Sequence, residues 1–298
     1  MKNQSSQSVI ILCGGMSKRM GQDKGSMKIQ ETPMIIHVLE AITPQINEVI
    51  IVLNDRDRIA KYKSIIDSYL KKLNKKFNFN LIFLEDEIKN KGPMSGIMTG
   101  LKNISSEYGL ILPCDSPFIS NEYIKNMFEI LNEIKSLYNN VDGIIPFHFK
   151  KKLENEDKNE KNNIKTNKKT NKKNNKKNNK KVNGKLNRKT KENDNKKDNK
   201  NEIDIPKSGF YKEGVMKNFI IENTEPLHSI YKKNTYKTIE SLLEQNEMKV
   251  KSLIKSINSY FILIDEYKDN STNKKLNYNI SSSNFKNINY KKDINEIN

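Results

Sequence analysis

Short apolar runs alternate with amphipathic stretches along most of the chain. Residues 9–12, 48–53 (EVIIVL), 79–84 (FNLIFL), 108–112 (YGLIL) and 142–147 (DGIIPF) read as strands. Their apolar positions are nearly continuous, as expected for strands covered on both faces. Between them, residues 34–42 follow Pro33, a residue suited to a first helical turn. Residues 55–73 place Ile59, Tyr62, Ile66, Tyr69, Leu70 and Leu73 on one helical face. Residues 94–104 form a helix opened by Gly92-Pro93, and 120–137 one capped by Ser120 with Glu122 in its first turn. Further along, 227–231 (LHSIY) and 260–264 (YFILI) read as strands, with helical material at 235–245. Strands in regular alternation with helices predict an α/β fold with a mostly parallel, doubly wound sheet. Ligands of such sheets lie beyond the carboxyl ends of the strands, near the point where strand order reverses.

Residues 150–202 break this pattern. They hold 21 basic and 8 acidic residues and only four apolar ones, Leu153, Ile164, Val182 and Leu186. Of the net charge of +18, +13 sits here. A segment so polar buries too little surface to offset its ordering entropy, so a disordered Lys/Asn-rich surface insertion is expected. An RNA- or DNA-binding arm is the sharper alternative, but the segment has no aromatic residue to stack on a base and no RGG pattern. Elsewhere no run approaches the roughly 20 apolar residues of a membrane span. The start, MKNQSSQSVIILCGG, does not read as a signal peptide. Cys13 and Cys114 are too few for a disulfide framework, and with roughly a hundred residues between them and no local partner they do not suggest zinc. A cytoplasmic protein is expected.

The first strand runs into LCGGMSKRMGQDKG, residues 12–25. Glycines at a strand end let the backbone approach a ligand, and successive amides can cradle phosphate. Ser17, Lys18, Arg19 and Lys24 add a hydroxyl and cations. The spacing fits neither GxxxxGK[ST] nor a well-placed GxGxxG. LPCDSPFIS, residues 112–120, sets Asp115 at the end of the fourth strand, where an acid suits Mg²⁺ shared with phosphate oxygens. GPMSGIMTGL, residues 92–101, is a third glycine turn, after Glu85-Asp86. No Ser-His-Asp set is evident: His37 reads as packed on a helix face, His228 within a strand, and His148 lies outside these loops.

Taken together, these motifs resemble the molybdenum cofactor guanylyltransferases, nucleotidyltransferases with a Rossmann-like catalytic domain. EPLHSIY (225–231) and FKNINYKKDI (285–294) resemble later segments of that family. The resemblance covers roughly residues 8–147 and 225–298. It implies a Rossmann-like sheet of the nucleotide-diphospho-sugar transferase type. Residues 1–149 would form the nucleotide-binding half, 150–202 the insertion and 203–298 the acceptor-binding half. It implies GTP held by the backbone of Leu12, Cys13 and Gly14 and by Asn54 and Asp86. Catalysis would fall to Lys24 and Arg19 on the phosphates and Asp115 on Mg²⁺, with Asn287 and Asn289 on the acceptor side. Cys13 departs from the family's usual Ala, and Tyr290-Lys291-Lys292 from its Thr-Pro-Glu.

The implied reaction joins GMP from GTP to the terminal phosphate of the molybdenum-molybdopterin cofactor, releasing pyrophosphate. The attacking phosphate is already anionic, so positioning and charge neutralisation suffice. Implied partners are the cofactor and, transiently, molybdenum-insertion proteins and acceptor molybdoenzymes; membrane and nucleic acid are not expected. A molybdopterin cytidylyltransferase or sugar-phosphate nucleotidyltransferase is the nearest alternative. Their loops tend to open Ala-Ala-Gly, against Cys13-Gly14-Gly15 here.

Overall fold

Continuous apolar strands followed by helices build one seven-stranded sheet. The computed structural model describes residues 6–14, 23–148, 208–264, 280 and 282–286. These belong to one compact unit, residues 1–149 with 206–298; the second unit, 150–205, lies outside the described residues, and with it the whole predicted insertion, 150–202. The first part of the chain gives β1 (Ser8–Cys13), a small hairpin of β2 (Lys28–Ile29) and β3 (Thr32–Pro33), α1 (Met34–Glu40), β4 (Glu48–Leu53), α2 (Arg56–Leu73) and β5 (Asn80–Glu85). Then follow α3 (Pro93–Asn103), β6 (Tyr108–Pro113), α4 (Asn121–Leu137) and β7 (Gly143–His148). The last part holds α5 (Val215–Glu222), β8 (Ile230–Lys232), α6 (Tyr236–Glu244), α7 (Val250–Ser256) and β9 (Ser259–Ile264).

Strand order is β5-β4-β1-β6-β8-β7-β9. Every neighbouring pair is parallel except those of β8, which runs antiparallel to both β6 and β7. β1, β4, β6 and β7 are buried at every position, which is why their sequences lack alternation. Two apolar layers cover the sheet. Ile35, Tyr62, Ile66, Tyr123 and Met127 pack on one face. Met98, Leu101, Ile220, Ile239 and Leu253 pack on the other. Helix α3 lies tight on β1: a Cβ at Gly100 would sit 2.4 Å from Ile10 Cγ2, a contact only glycine permits. No helix among the described residues is long and apolar enough to cross a membrane.

The chain steps from β1 to β4 to β5, then returns to lay β6 on the other side of β1. The carboxyl ends of β1 and β6 therefore flank the reversal of strand order, where ligands of such sheets bind.

The predicted elements through residue 148 are present with small shifts of their ends. Residues 227–231 are a correction. Pro226–His228 form a 3₁₀ turn, and the strand begins only at Ile230. Pro226 has no N–H to give a ladder, and its fixed φ favours a turn start. The helices α5 and α7 were not expected from the sequence.

Candidate active site

Cys114 N donates to Leu12 O at 3.1 Å, so β1 and β6 stay paired to their ends. Asp115 follows as the chain leaves the sheet. Lys24 Nζ donates to Asp115 Oδ2 at 2.7 Å, with the two side chains 20% and 16% exposed. This pair spans 91 positions of sequence and sits at the switch point. Its partly open carboxylate suits a divalent ion that takes its other ligands from phosphate and water. Among the described residues no group of three or more His, Cys, Asp and Glu is placed to cage a metal by itself.

Lys24 opens a 3₁₀ turn, Lys24–Ser26, whose position is set from below by helix α2. Asp23 Oδ1 accepts from Tyr62 Oη and from Arg58 Nη2, each at 2.7 Å, and Lys61 Nζ stands 3.6 Å from Oδ2. Burial, reinforced by Cys114, Cys13 and Asp23, pushes the Tyr62 phenol far above its ordinary value, so it remains a donor. The sequence placed Tyr62 only on the apolar face of this helix and gave Asp23 and Arg58 no role. Arg58 and Asp23 are 12% and 10% exposed, so removing the cation strands a carboxylate out of water. Arg58→Leu is expected to destabilise the fold by about 3 kcal/mol, because breaking a buried ion pair from one side costs on that order. Thermal and denaturant unfolding read this directly; a loss below about 0.5 kcal/mol, the scale of a surface pair, would contradict it.

Of the other predicted nucleotide contacts, Leu12 and Cys13 are buried within β1, while Gly14 is exposed at its tip. The Leu12 carbonyl is already taken by Cys114 N. A Cβ on Gly14 would come within 3.0 Å of Asn54 Oδ1, so Asn54 faces this tip from the end of β4. Asp86, after β5, is tied to helix α3: its Oδ1 accepts from Ser95 Oγ and, at 3.2 Å, from Thr99 Oγ1. Burial holds the Asp86 carboxyl above its usual value despite these bonds. Arg19, Asn287 and Asn289 lie outside the described residues.

The structure adds a contact between the cysteines and corrects the place of His228. Cys13 and Cys114, distant in sequence, follow paired positions of β1 and β6 and interact side by side, both as free thiols. Burial, then Cys114, pushes the Cys13 thiol up, which keeps it a packed hydrophobe and a poor nucleophile. His228 is not in a strand but in the 3₁₀ turn, with Nε2 3.0 Å from Ser116 Oγ, one residue beyond Asp115. His37 does lie on helix α1, with Nε2 3.2 Å from Ile29 O.

A mostly parallel sheet with an acid and a lysine paired at its switch point is an arrangement suited to a phosphate-bearing ligand. The chain matches the MobA-like NTP transferase domain over residues 9–259, and so belongs to that family of nucleotidyltransferases. It is 34% identical over 140 residues to a probable molybdenum cofactor guanylyltransferase of Methanothermobacter thermautotrophicus, covering 47% of this chain and 64% of that protein. It is 34% identical over 119 residues to a molybdenum cofactor guanylyltransferase of Shewanella halifaxensis, covering 40% of this chain and 52% of the relative. The chain thus spans between half and two thirds of the length of these curated relatives. In fold it is similar to the molybdopterin-guanine dinucleotide biosynthesis protein A of Archaeoglobus fulgidus, with TM-score 0.52, 16% identity and coverage of 98% and 96%. It is as similar to the 4-diphosphocytidyl-2C-methyl-D-erythritol synthase of Anaerococcus prevotii, with TM-score 0.53, 13% identity and coverage of 99% and 97%.

Proposed function

We propose that the protein transfers GMP from GTP to the terminal phosphate of the molybdenum-molybdopterin cofactor, giving molybdopterin guanine dinucleotide and pyrophosphate. The observation that carries this reading is the 2.7 Å Lys24–Asp115 pair at the switch point, in a chain of the MobA-like family. Asp115 would hold Mg²⁺, which when bound supplies positive charge to the phosphate oxygens. Lys24 and Arg19 neutralise the α-phosphate and the leaving pyrophosphate. Asp23, Tyr62 and Arg58 keep Lys24 in place, so its ammonium need not reorganise as charge develops. Gly14 offers backbone to the nucleotide, with Asn54 beside it and Asp86 accepting from the guanine N1 and N2 donors. Asn287 and Asn289 serve the acceptor. The surroundings are expected to be cytoplasmic, and the contacts with molybdenum-insertion proteins and molybdoenzymes transient. Binding GTP, CTP, ATP and UTP in competition tests the nucleotide choice: GTP is expected tightest, and CTP or ATP binding tighter would overturn it.

Asp86 gives this reading a pH dependence. Guanine donors need the ionised carboxylate, so GTP affinity is full above the Asp86 pKa and declines as pH falls through it. Burial raises that pKa, so the decline begins at higher pH than for an ordinary aspartate. Kd for GTP against pH checks this, with Asp86→Asn expected to be weaker and flat. An equal acid-side decline in the variant would assign the effect to another group.

The halves proposed here, 1–149 and 203–298, leave every site residue outside 150–202. Replacing that segment by a Gly/Ser linker is therefore expected to keep kcat within a few-fold, since shortening a polar loop changes closure entropy only slightly. A collapse of kcat at every salt concentration would make the segment part of the catalytic structure.

A further inference from the structure

Beside the Lys24–Asp115 pair, Ser116, His228, Glu225 and His148 form a polar chain. Ser116 Oγ and His228 Nε2 are 3.0 Å apart, and the two residues are 0% and 1% exposed. Among the described residues His228 Nδ1 has no hydrogen-bond partner; Glu225 Oε2 stands 4.0 Å from it. The other oxygen of Glu225 is 3.1 Å from His148 Nε2. The order Ser-His-Glu resembles a nucleophilic triad, but a serine with no exposed surface cannot reach a substrate. Its place in the chain suggests another task. Ser116 N donates to Pro113 O at 3.4 Å, and Ser116 O accepts from Ile119 N at 3.2 Å, so Ser116 closes the turn that carries Asp115 out of β6.

We propose that His228 is a positioning residue that fixes the Asp115 turn through its hydrogen bond to Ser116. The proposal rests on the guanylyltransferase reading for its catalytic consequence, though not for its structural one. His228 is itself held from several sides. Its N–H donates to Glu225 O at 3.0 Å, its carbonyl accepts from Tyr123 Oη of α4, and the Phe285 ring stands edge-on at 5.1 Å. Burial keeps the imidazole neutral, with its pKa lowered to about 4. The neutral ring carries one proton, and its Nε2 shares a single hydrogen bond with Ser116 Oγ. The turn bearing Asp115 is thus braced from β8's leading turn, 112 residues away in sequence. A displacement of about 1 Å at a reacting centre can lower the rate about a hundredfold, so such bracing has kinetic weight.

The test compares the full-length wild type with His228→Leu, His228→Gln, Ser116→Ala and the His228→Leu/Ser116→Ala double variant. The glutamine amide reaches the Nε2 position, whereas leucine does not. His228→Leu is expected to lower kcat by about ten- to a hundredfold with little change in KM for GTP. His228→Gln should recover most of that loss. Ser116→Ala should reproduce His228→Leu, and the double variant should be no worse than either, since both act through one bond. Independent losses that multiply, or leucine and glutamine equally impaired, would overturn the proposal. Crystal structures give a readout that needs no activity: a shifted Asp115 carboxylate in Ser116→Ala or His228→Leu supports the proposal, and an unmoved one contradicts it. Should His228→Leu fail to fold, Ser116→Ala carries the same comparison. A wild type that transfers no nucleotide would remove the guanylyltransferase reading and leave the structural comparison standing.

Discussion

Asp115→Asn is expected to lower turnover by on the order of 10³-fold or more while the protein stays folded. The asparagine keeps the size of the side chain and one oxygen, but loses the charge that attracts both Mg²⁺ and Lys24. Losing a main metal ligand removes several kcal/mol of transition-state stabilisation, and each 1.4 kcal/mol is about tenfold in rate. The fold should tolerate the change because Asp115 lies past the end of β6, and its carboxylate bonds Lys24 rather than the core. Kcat at saturating Mg²⁺ and a thermal melt separate the two effects. A variant within tenfold of wild type would contradict the assignment of Asp115.

Gly25→Ala is expected to lower kcat about a hundredfold and to destabilise the protein by about 1–3 kcal/mol. An added Cβ would stand 2.3 Å from Tyr62 Oη and 2.9 Å from Cys114 Sγ, too close on both sides. Neither neighbour yields easily: the Tyr62 hydroxyl is bonded to Asp23, and Cys114 is fixed by the sheet. The Lys24–Ser26 turn must move, taking the ammonium away from Asp115. The clash names its own remedy. Removing the hydroxyl with Tyr62→Phe should recover part of the activity in the Gly25→Ala background, although Tyr62→Phe alone loses a bond to Asp23. Failure of that second change to help would show that the methyl is accommodated elsewhere.

The apolar pattern was enough to reveal the strands β1, β4, β6 and β7, because strands buried on both faces write themselves as unbroken apolar runs, and it revealed the half-buried edge strand β5 through its apolar LIFL run. Asp115 was also visible, since a strand end followed by an acid is a local feature. The 227–231 segment misled because LHSIY is as apolar as a strand, while Pro226 imposes a turn that periodicity does not register. Helix α5 was missed for a related reason: VMKNFIIE is a short stretch next to the basic segment, and its packing on β7 comes from the tertiary fold. Asp23, Arg58, Tyr62 and His228 could not be read at all as parts of the site. Their partners lie 35, 39 and 112 residues away, and only the sheet brings them together. The pairing of Cys13 with Cys114 has the same origin, a register between β1 and β6 that spacing along the chain does not encode.

The most direct measurement is product analysis with GTP labelled at the α-phosphate, purified full-length protein, Mg²⁺ and the molybdenum-molybdopterin cofactor. Label is expected in a guanine dinucleotide, with pyrophosphate released in equal amount and neither product formed by Asp115→Asn. Label that stays in GTP while α-labelled CTP is consumed, or transfer that survives Asp115→Asn unchanged, would contradict it.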